Sequence, residues 1–330
     1  MRLVSPPRRL LRLWPVAVIA LVLVVHALFW TNGAGAMRRS VEKWEAAQRE
    51  TGLDVRFGRV ETTGYPFVWR GVVHGADIAA PSLFHWSAEK LRIRASPFAP
   101  KRLEFSTDSA QTIDLGRRGL WRIDSDNGLI RVTGGKAWSL EILSDKSLIE
   151  RADGGAAVSS EKSRFIVAPA RSATGGVEAE LAVEGLFVSG VADDGVSRSF
   201  GAHIIEARLA LVPASEEAPQ SLEIRRFHAE AAGAKVELSG ALLIDALGYP
   251  DGALNAEIAN PGAIAMLLGE IGALSPADAE QAAASLTLAA LAGGGKITAP
   301  LVLKDGYATI AGVKIARLPR LLEENYAPSP

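Results

Sequence analysis

Eighteen consecutive residues, Leu13 to Trp30 (LWPVAVIALVLVVHALFW), contain one ionisable side chain, His26. This run cannot form an ordinary surface helix, because a helix that is apolar all round has no face to present to water. Its length matches the roughly 17–25 residues needed to span a bilayer core. Arg2, Arg8, Arg9 and Arg12 precede it, and Trp14 and Trp30 bracket it. Basic flanks stay cytoplasmic and aromatic rings mark the interfaces, so Leu13, Trp14 and Trp30 are read as anchor residues and the chain beyond them as translocated. His26, near the outer end, is read as neutral or reaching the interface, not as a proton relay. Ala34-Gly35-Ala36 before Met37 also forms a signal-peptidase pattern. The run exceeds the roughly 7–15 apolar residues of a typical signal, which favours an uncleaved single-pass anchor over cleavage.

The chain divides into a basic flank and anchor (1–36), a connecting amphipathic helix (37–52) and a β-rich body (53–330). In the connecting helix, Val41, Trp44 and Gln48 share a stripe, and Gly52 ends it. From Leu53 onward apolar and polar residues alternate with period two. Leu91, Ile93 and Ala95 alternate with Arg92 and Arg94; Ala179, Leu181 and Val183 with Glu178, Glu180 and Glu184; Val236 and Leu238 with Lys235 and Glu237. Strands with one dry and one wet face predict antiparallel sheets. Asn127-Gly128, Asp153-Gly154, Asp194-Gly195, Asp251-Gly252 and Asp305-Gly306 read as hairpin turns. All seven tryptophans precede residue 139, and zero cysteines leave burial and hydrogen bonding to hold the body together.

Two helices interrupt this pattern. Asn260-Pro261 followed by Ile264, Leu267, Leu268 and Ile271 predicts one over about 260–273, and Ser275-Pro276-Ala277-Asp278 starts another over about 275–292. The expected fold is mainly β: an N-terminal transmembrane helix, an elongated antiparallel body forming a curved sheet or groove, and a C-terminal helical hairpin packed on it. Gly64-Tyr65-Pro66 recurs as Gly248-Tyr249-Pro250 and reads as a strand–turn–strand corner, arising from duplication or chance.

The corner Gly64-Tyr65-Pro66-Phe67, the string GALLIDALGYPDG, the helix pair and the closing LVLKDGYATIAGVKIARLP together resemble domain-of-unknown-function family 2125 across nearly the whole chain. The resemblance implies an exported protein anchored in the inner membrane of two-membrane bacteria, with its bulk in the periplasm and no defined catalytic residues. In architecture the chain also resembles, more distantly, AsmA-type envelope proteins, which are associated with phospholipid traffic. That second likeness is a fold-level analogy.

The sequence carries no catalytic signature. His26, His74, His85, His203 and His228 show no metal-ligand spacing. Asp124, Asp126 and Gly128 are out of step with a calcium loop, whose twelfth position falls on Gly135; a hairpin turn is expected there. The glycine clusters lack a strand–GxGxxG–helix context, and no serine sits in G-x-S-x-G. With 36 basic against 37 acidic residues, no field gathers nucleic acid. No catalytic, metal or cofactor residue is assigned.

The stretch from Phe67 to Arg94 admits two readings. Gly64, Tyr65, Pro66, Phe67, Trp69 and Trp86 are candidate corner or membrane-proximal residues, with arginines facing lipid phosphates. Alternatively they are large core residues with solvated arginines opposite. The functional expectation is a non-enzymatic, inner-membrane-anchored protein that handles lipid or another amphipathic envelope component. The alternative is an assembly protein that binds other envelope proteins through its sheet edges.

Overall fold

The computed structural model describes residues 14–318 apart from 51–52, 65–67, 81–83, 97–98, 108, 117–118, 136, 171–175, 192–196, 214–219, 246–247 and 271–273. Its first element, α1 (Trp14–Glu50), is one helix of 37 residues, about 55 Å long at 1.5 Å per residue. The apolar run and the connecting helix are therefore continuous, with no break at Ala36. Seventeen strands follow among the described residues. The first nine are β1 (Asp54–Phe57), β2 (Val60–Thr63), β3 (Trp69–Ala80), β4 (Phe84–Ser96), β5 (Ala99–Thr107), β6 (Gln111–Asp114), β7 (Leu120–Thr133), β8 (Ser139–Arg151) and β9 (Ala156–Pro169). Then come β10 (Val177–Val191), β11 (Ser197–Val212), β12 (Ser221–Ala231), β13 (Ala234–Ile244), β14 (Pro250–Ala259), α2 (Pro261–Glu270), α3 (Pro276–Ala292), β15 (Lys296–Lys304), β16 (Tyr307–Ile310) and β17 (Val313–Arg317).

Every pairing is antiparallel, and nearly every strand pairs with its neighbours in the chain. β1 and β2 both lie along β3. The short β5 and β6 share the gap between β4 and β7. From β7 to β17 the sheet is an unbroken meander. Among the described residues no ladder joins β17 to β1 or β2, so the sheet is open and keeps two edges.

Several expected turns have other roles. Asn127, at φ 53°, and Gly128 lie inside β7, where the register against β8 shifts, so the pair forms a bulge and not a hairpin. A bulge needs the same left-handed backbone as a tight turn, which is why the sequence signal is ambiguous. Asp251-Gly252 likewise lies within β14. Asp305-Gly306 does close a hairpin, and so do Ala232-Gly233 and Ala311-Gly312, each with both residues at positive φ. Alanine leading such a turn is not a residue that pattern reading seeks there. Asp194-Gly195 falls outside the described residues.

The C-terminal helices form where their caps place them. Ser275 Oγ accepts a hydrogen bond from the Asp278 amide at 3.2 Å and donates to the Asp278 carboxylate at 2.6 Å, closing the start of α3. Small residues let the two helices approach closely. A methyl group added at Gly262 would meet Thr287, and one added at Gly269 would meet Ala279. The pair then covers one face of β13 to β16, packing Ala265, Ala282, Leu286 and Ala290 onto Leu254, Ile258, Leu301 and Ile310.

Candidate functional site

The registers place one apolar row across almost the whole sheet. Ile93 of β4 faces Phe105 of β5, which faces Ile130 of β7, then Ile142 of β8 and Phe165 of β9. The row continues through Leu181 of β10, Ala207 of β11, Phe227 of β12 and Leu238 of β13, to Ala256 of β14. At its C-terminal end this face carries α2 and α3. At its N-terminal end it carries α1, whose Val41 packs against the cluster of Val73, Ala76 and Ile93, as does Phe105. Gly75, at φ 66°, puts a kink in β3, so that Val73 and Ala76, one odd and one even position, enter the same cluster.

Between these covers no described helix lies on the face. α1 packs on β1 to β3, and α2 and α3 pack on β11, β13, β15 and β17, while the main contacts of β4 to β10 are with other strands. Leu103, Ile130, Leu181 and Leu211 on this face are 36–39% exposed, whereas Leu254 and Ile310 under the helices, and Leu286 of α3 facing them, are 1–2% exposed.

The opposite face is a charge ladder. Arg94 faces Glu104, Glu104 faces Arg131, and Arg131 faces Glu141. Glu104 accepts from Arg102 at 2.9 Å and Arg131 at 3.2 Å; Glu141 pairs with Arg131 and, at 3.2 Å, with Arg164. Burial alone would raise the Glu104 carboxyl, but the hydrogen bonds from Arg131 and Arg102 outweigh it and hold the group below the usual carboxylate range. Further along, Arg208 pairs with Glu180 at 2.9 Å, and Arg225 with Glu178 at 2.7 Å.

The junction between α1 and the sheet is fixed by shape. A methyl group at Gly33 would overlap the Trp69 indole, so only glycine lets the helix seat that ring. Further along, Val41 packs near Val73, and the Arg49 guanidinium donates to the Val55 carbonyl at 3.1 Å, with Val55 opposite Ile78. The helix thus follows β3 in the same direction, away from the apolar run. Residues Ile19, Leu21, Val22, Leu23, Val24, Val25 and Leu28 of that run are each more than half exposed. Positions 21 to 25 alone sweep a full turn of helix, so no side of it is wet by design. Among the described residues no helix is long and apolar enough to cross a membrane.

Leu13, Tyr65, Pro66 and Phe67 lie outside the described residues, as do the side chains of Trp14 and Trp30 within α1. Gly64, at φ 102°, ends β2, and its carbonyl accepts from the Val68 amide at 3.2 Å. It lies beside the Arg70 side chain, at the same strand end as Trp69. Trp86 is not brought to that end. It pairs with Ile78, nine residues further along β3, and its indole donates to Gln111 at 3.1 Å. Asp124 and Asp126 stand within β7, with Asp124 paired to Arg122 at 3.0 Å. Among the described residues no three His, Asp or Glu side chains group to hold a metal ion. Gly33 and the row of facing apolar residues were not singled out from sequence. Alternation shows which residues share a face of one strand, but not which residues the next strand sets beside them.

Comparison with curated proteins and with solved structures gives no match. The profile of a family described as an uncharacterized protein conserved in bacteria (DUF2125) matches residues 30–319. The chain belongs to that family.

Proposed function

We propose that this family member is a non-enzymatic periplasmic protein, held in the inner membrane by the first half of α1, whose bare apolar sheet face takes up the acyl part of a lipid or of another amphipathic envelope component. The observation that carries the reading is the continuous apolar row, covered by helices at both ends and by no described helix in the middle. A face of this kind offers an acyl chain the contacts that α2 and α3 make elsewhere. Each methylene taken out of water contributes about 0.8 kcal/mol. No bond need be made or broken, since the barrier being lowered is the exposure of the chain to water.

The anchor is supported by the exposed apolar side chains around α1. Leaving seven such residues in water would cost on the order of 10 kcal/mol. It is supported also by the four arginines before the run and the continuity of the helix into the body. Cleavage after Ala36 would cut that continuous helix. The second reading, assembly with other envelope proteins, has one specific support: among the described residues the sheet is open, with β1, β2 and β17 as edge strands.

Native mass spectrometry of the full chain released from detergent micelles tests the lipid reading. Wild-type protein is expected to retain phospholipid-sized adducts, and Ile142→Asp/Leu181→Asp to lose them while keeping its secondary structure. Retention of adducts unchanged in the variant, or none in the wild type, contradicts the reading.

A further inference from the structure

We infer that the sheet end beside Gly33 carries a binding site for the phosphate of an anionic lipid, formed by Arg70 and Arg94 on the face opposite α1. The inference rests on the membrane placement proposed for α1. Arg70 of β3 lies directly opposite Arg94 of β4. Like charges facing each other across an antiparallel pair destabilise it unless something neutralises them. Elsewhere the sheet provides the neutralising partner. Arg208 also faces Arg226, but Arg208 has Glu180 at 2.9 Å and Arg226 has Glu206 at 3.8 Å. Here the acids fall short. Arg94 has Glu104 at 3.9 Å, but that one carboxylate is shared with Arg102 and Arg131. Arg70 is exposed and has no carboxylate within ion-pair distance among the described residues.

The location identifies the anion. Trp69, adjacent to Arg70, rests on Gly33, which is three residues, or about 5 Å of helix, beyond Trp30 at the end of the apolar run. With the run in the bilayer, Trp69 stands at headgroup depth and the two guanidiniums lie at the same level, on the other side of the sheet. Planar guanidiniums suit a phosphodiester, which accepts their paired N–H groups.

The full chain in nanodiscs, with the bilayer either all phosphatidylcholine or 30% phosphatidylglycerol, provides the test, followed by extraction into detergent and counting of retained lipid. Wild type is expected to retain phosphatidylglycerol over phosphatidylcholine. Arg70→Gln/Arg94→Gln should reduce that preference about 25-fold, at roughly a factor of five per cation, and Arg70→Lys/Arg94→Lys should keep most of it. Millimolar inorganic phosphate should not displace the lipid; displacement would identify a free-phosphate site and overturn the assignment. An unchanged preference in the glutamine pair overturns it as well. Quenching by brominated phosphatidylcholine, compared between wild type and Trp69→Phe, separates the two levels of the argument. A Trp69 that is not quenched contradicts the membrane placement itself, while a quenched Trp69 without phosphatidylglycerol preference contradicts only the site.

Discussion

Two stretches of the same sheet, with the same alternation of apolar and charged residues, end in different states. In β13 to β16 the apolar face is sealed by α2 and α3, and its large side chains are all but excluded from water. In β4 to β10 the equivalent face, continuous with it in register, has no covering layer among the described residues and leaves Leu103, Ile130 and Leu181 more than a third exposed. Alternation in a strand specifies that one face should be dry; it does not specify what dries it. In the C-terminal part the chain supplies its own cover. In the centre no described element of the chain does so, and lipid is the cover proposed for it.

The contrast predicts unequal costs of truncation. Leu254→Ala or Leu286→Ala should lower unfolding free energy by about 2–5 kcal/mol, because each leaves a cavity under a packed layer. Leu181→Ala in lipid-free protein should cost less than about 1 kcal/mol, because its side chain never left water fully. Denaturant titration of the full chain in a mild detergent measures both, and equal losses would erase the distinction between the regions.

Without a core on its bare face, the central sheet depends more on its charged face. Glu104→Gln should cost about 1.5–3 kcal/mol, since its hydrogen bonds to Arg102 and Arg131 are charge-assisted and the carboxylate and Arg131 are mostly buried. The sign with pH follows from the lowered carboxyl. Its contribution is complete above the unfolded-state value, near 4.3, and is lost as pH falls through the lower folded value. Stability against pH over the acid range should therefore fall less steeply in Glu104→Gln than in wild type.

Gly33→Val tests the cover at the other end. It forces a side chain into the Trp69 ring and should cost about 1–3 kcal/mol, with the loss largely recovered in a Trp69→Ala background. Additive losses in the double variant would mean that helix and strand do not meet there. The smallest effect, about 1 kcal/mol, is expected for Ser275→Ala, which removes the α3 cap. Hydrogen exchange should then rise in α3 and in β14 to β16 beneath it, and not in β7 to β10.

Much of this architecture was legible in the sequence, because its strongest signals are local. Leu91-Ile93-Ala95 and Ala179-Leu181-Val183 announce half-dry strands, and Ser275-Pro276 announces a helix start. The hairpins at Ala232-Gly233 and Ala311-Gly312 were not legible, since alanine in a left-handed conformation is set by the strands it joins. Nor was the Asn127-Gly128 bulge, whose backbone is that of a turn. The candidate site was less visible still. Phe105, Ile130, Phe165 and Phe227 lie far apart in the chain and become one row only through register. Arg70 and Arg94 oppose each other for the same reason.

The central claim is that lipid lies on the bare face of β4 to β10 and not on the covered face of β13 to β16. A benzophenone amino acid placed at Leu181, and separately at Leu254, in the full chain in native membranes tests it directly on illumination. The account predicts phospholipid adducts by mass spectrometry at position 181 and none at 254. Adducts at neither position, or cross-links from 181 to protein alone, would contradict it.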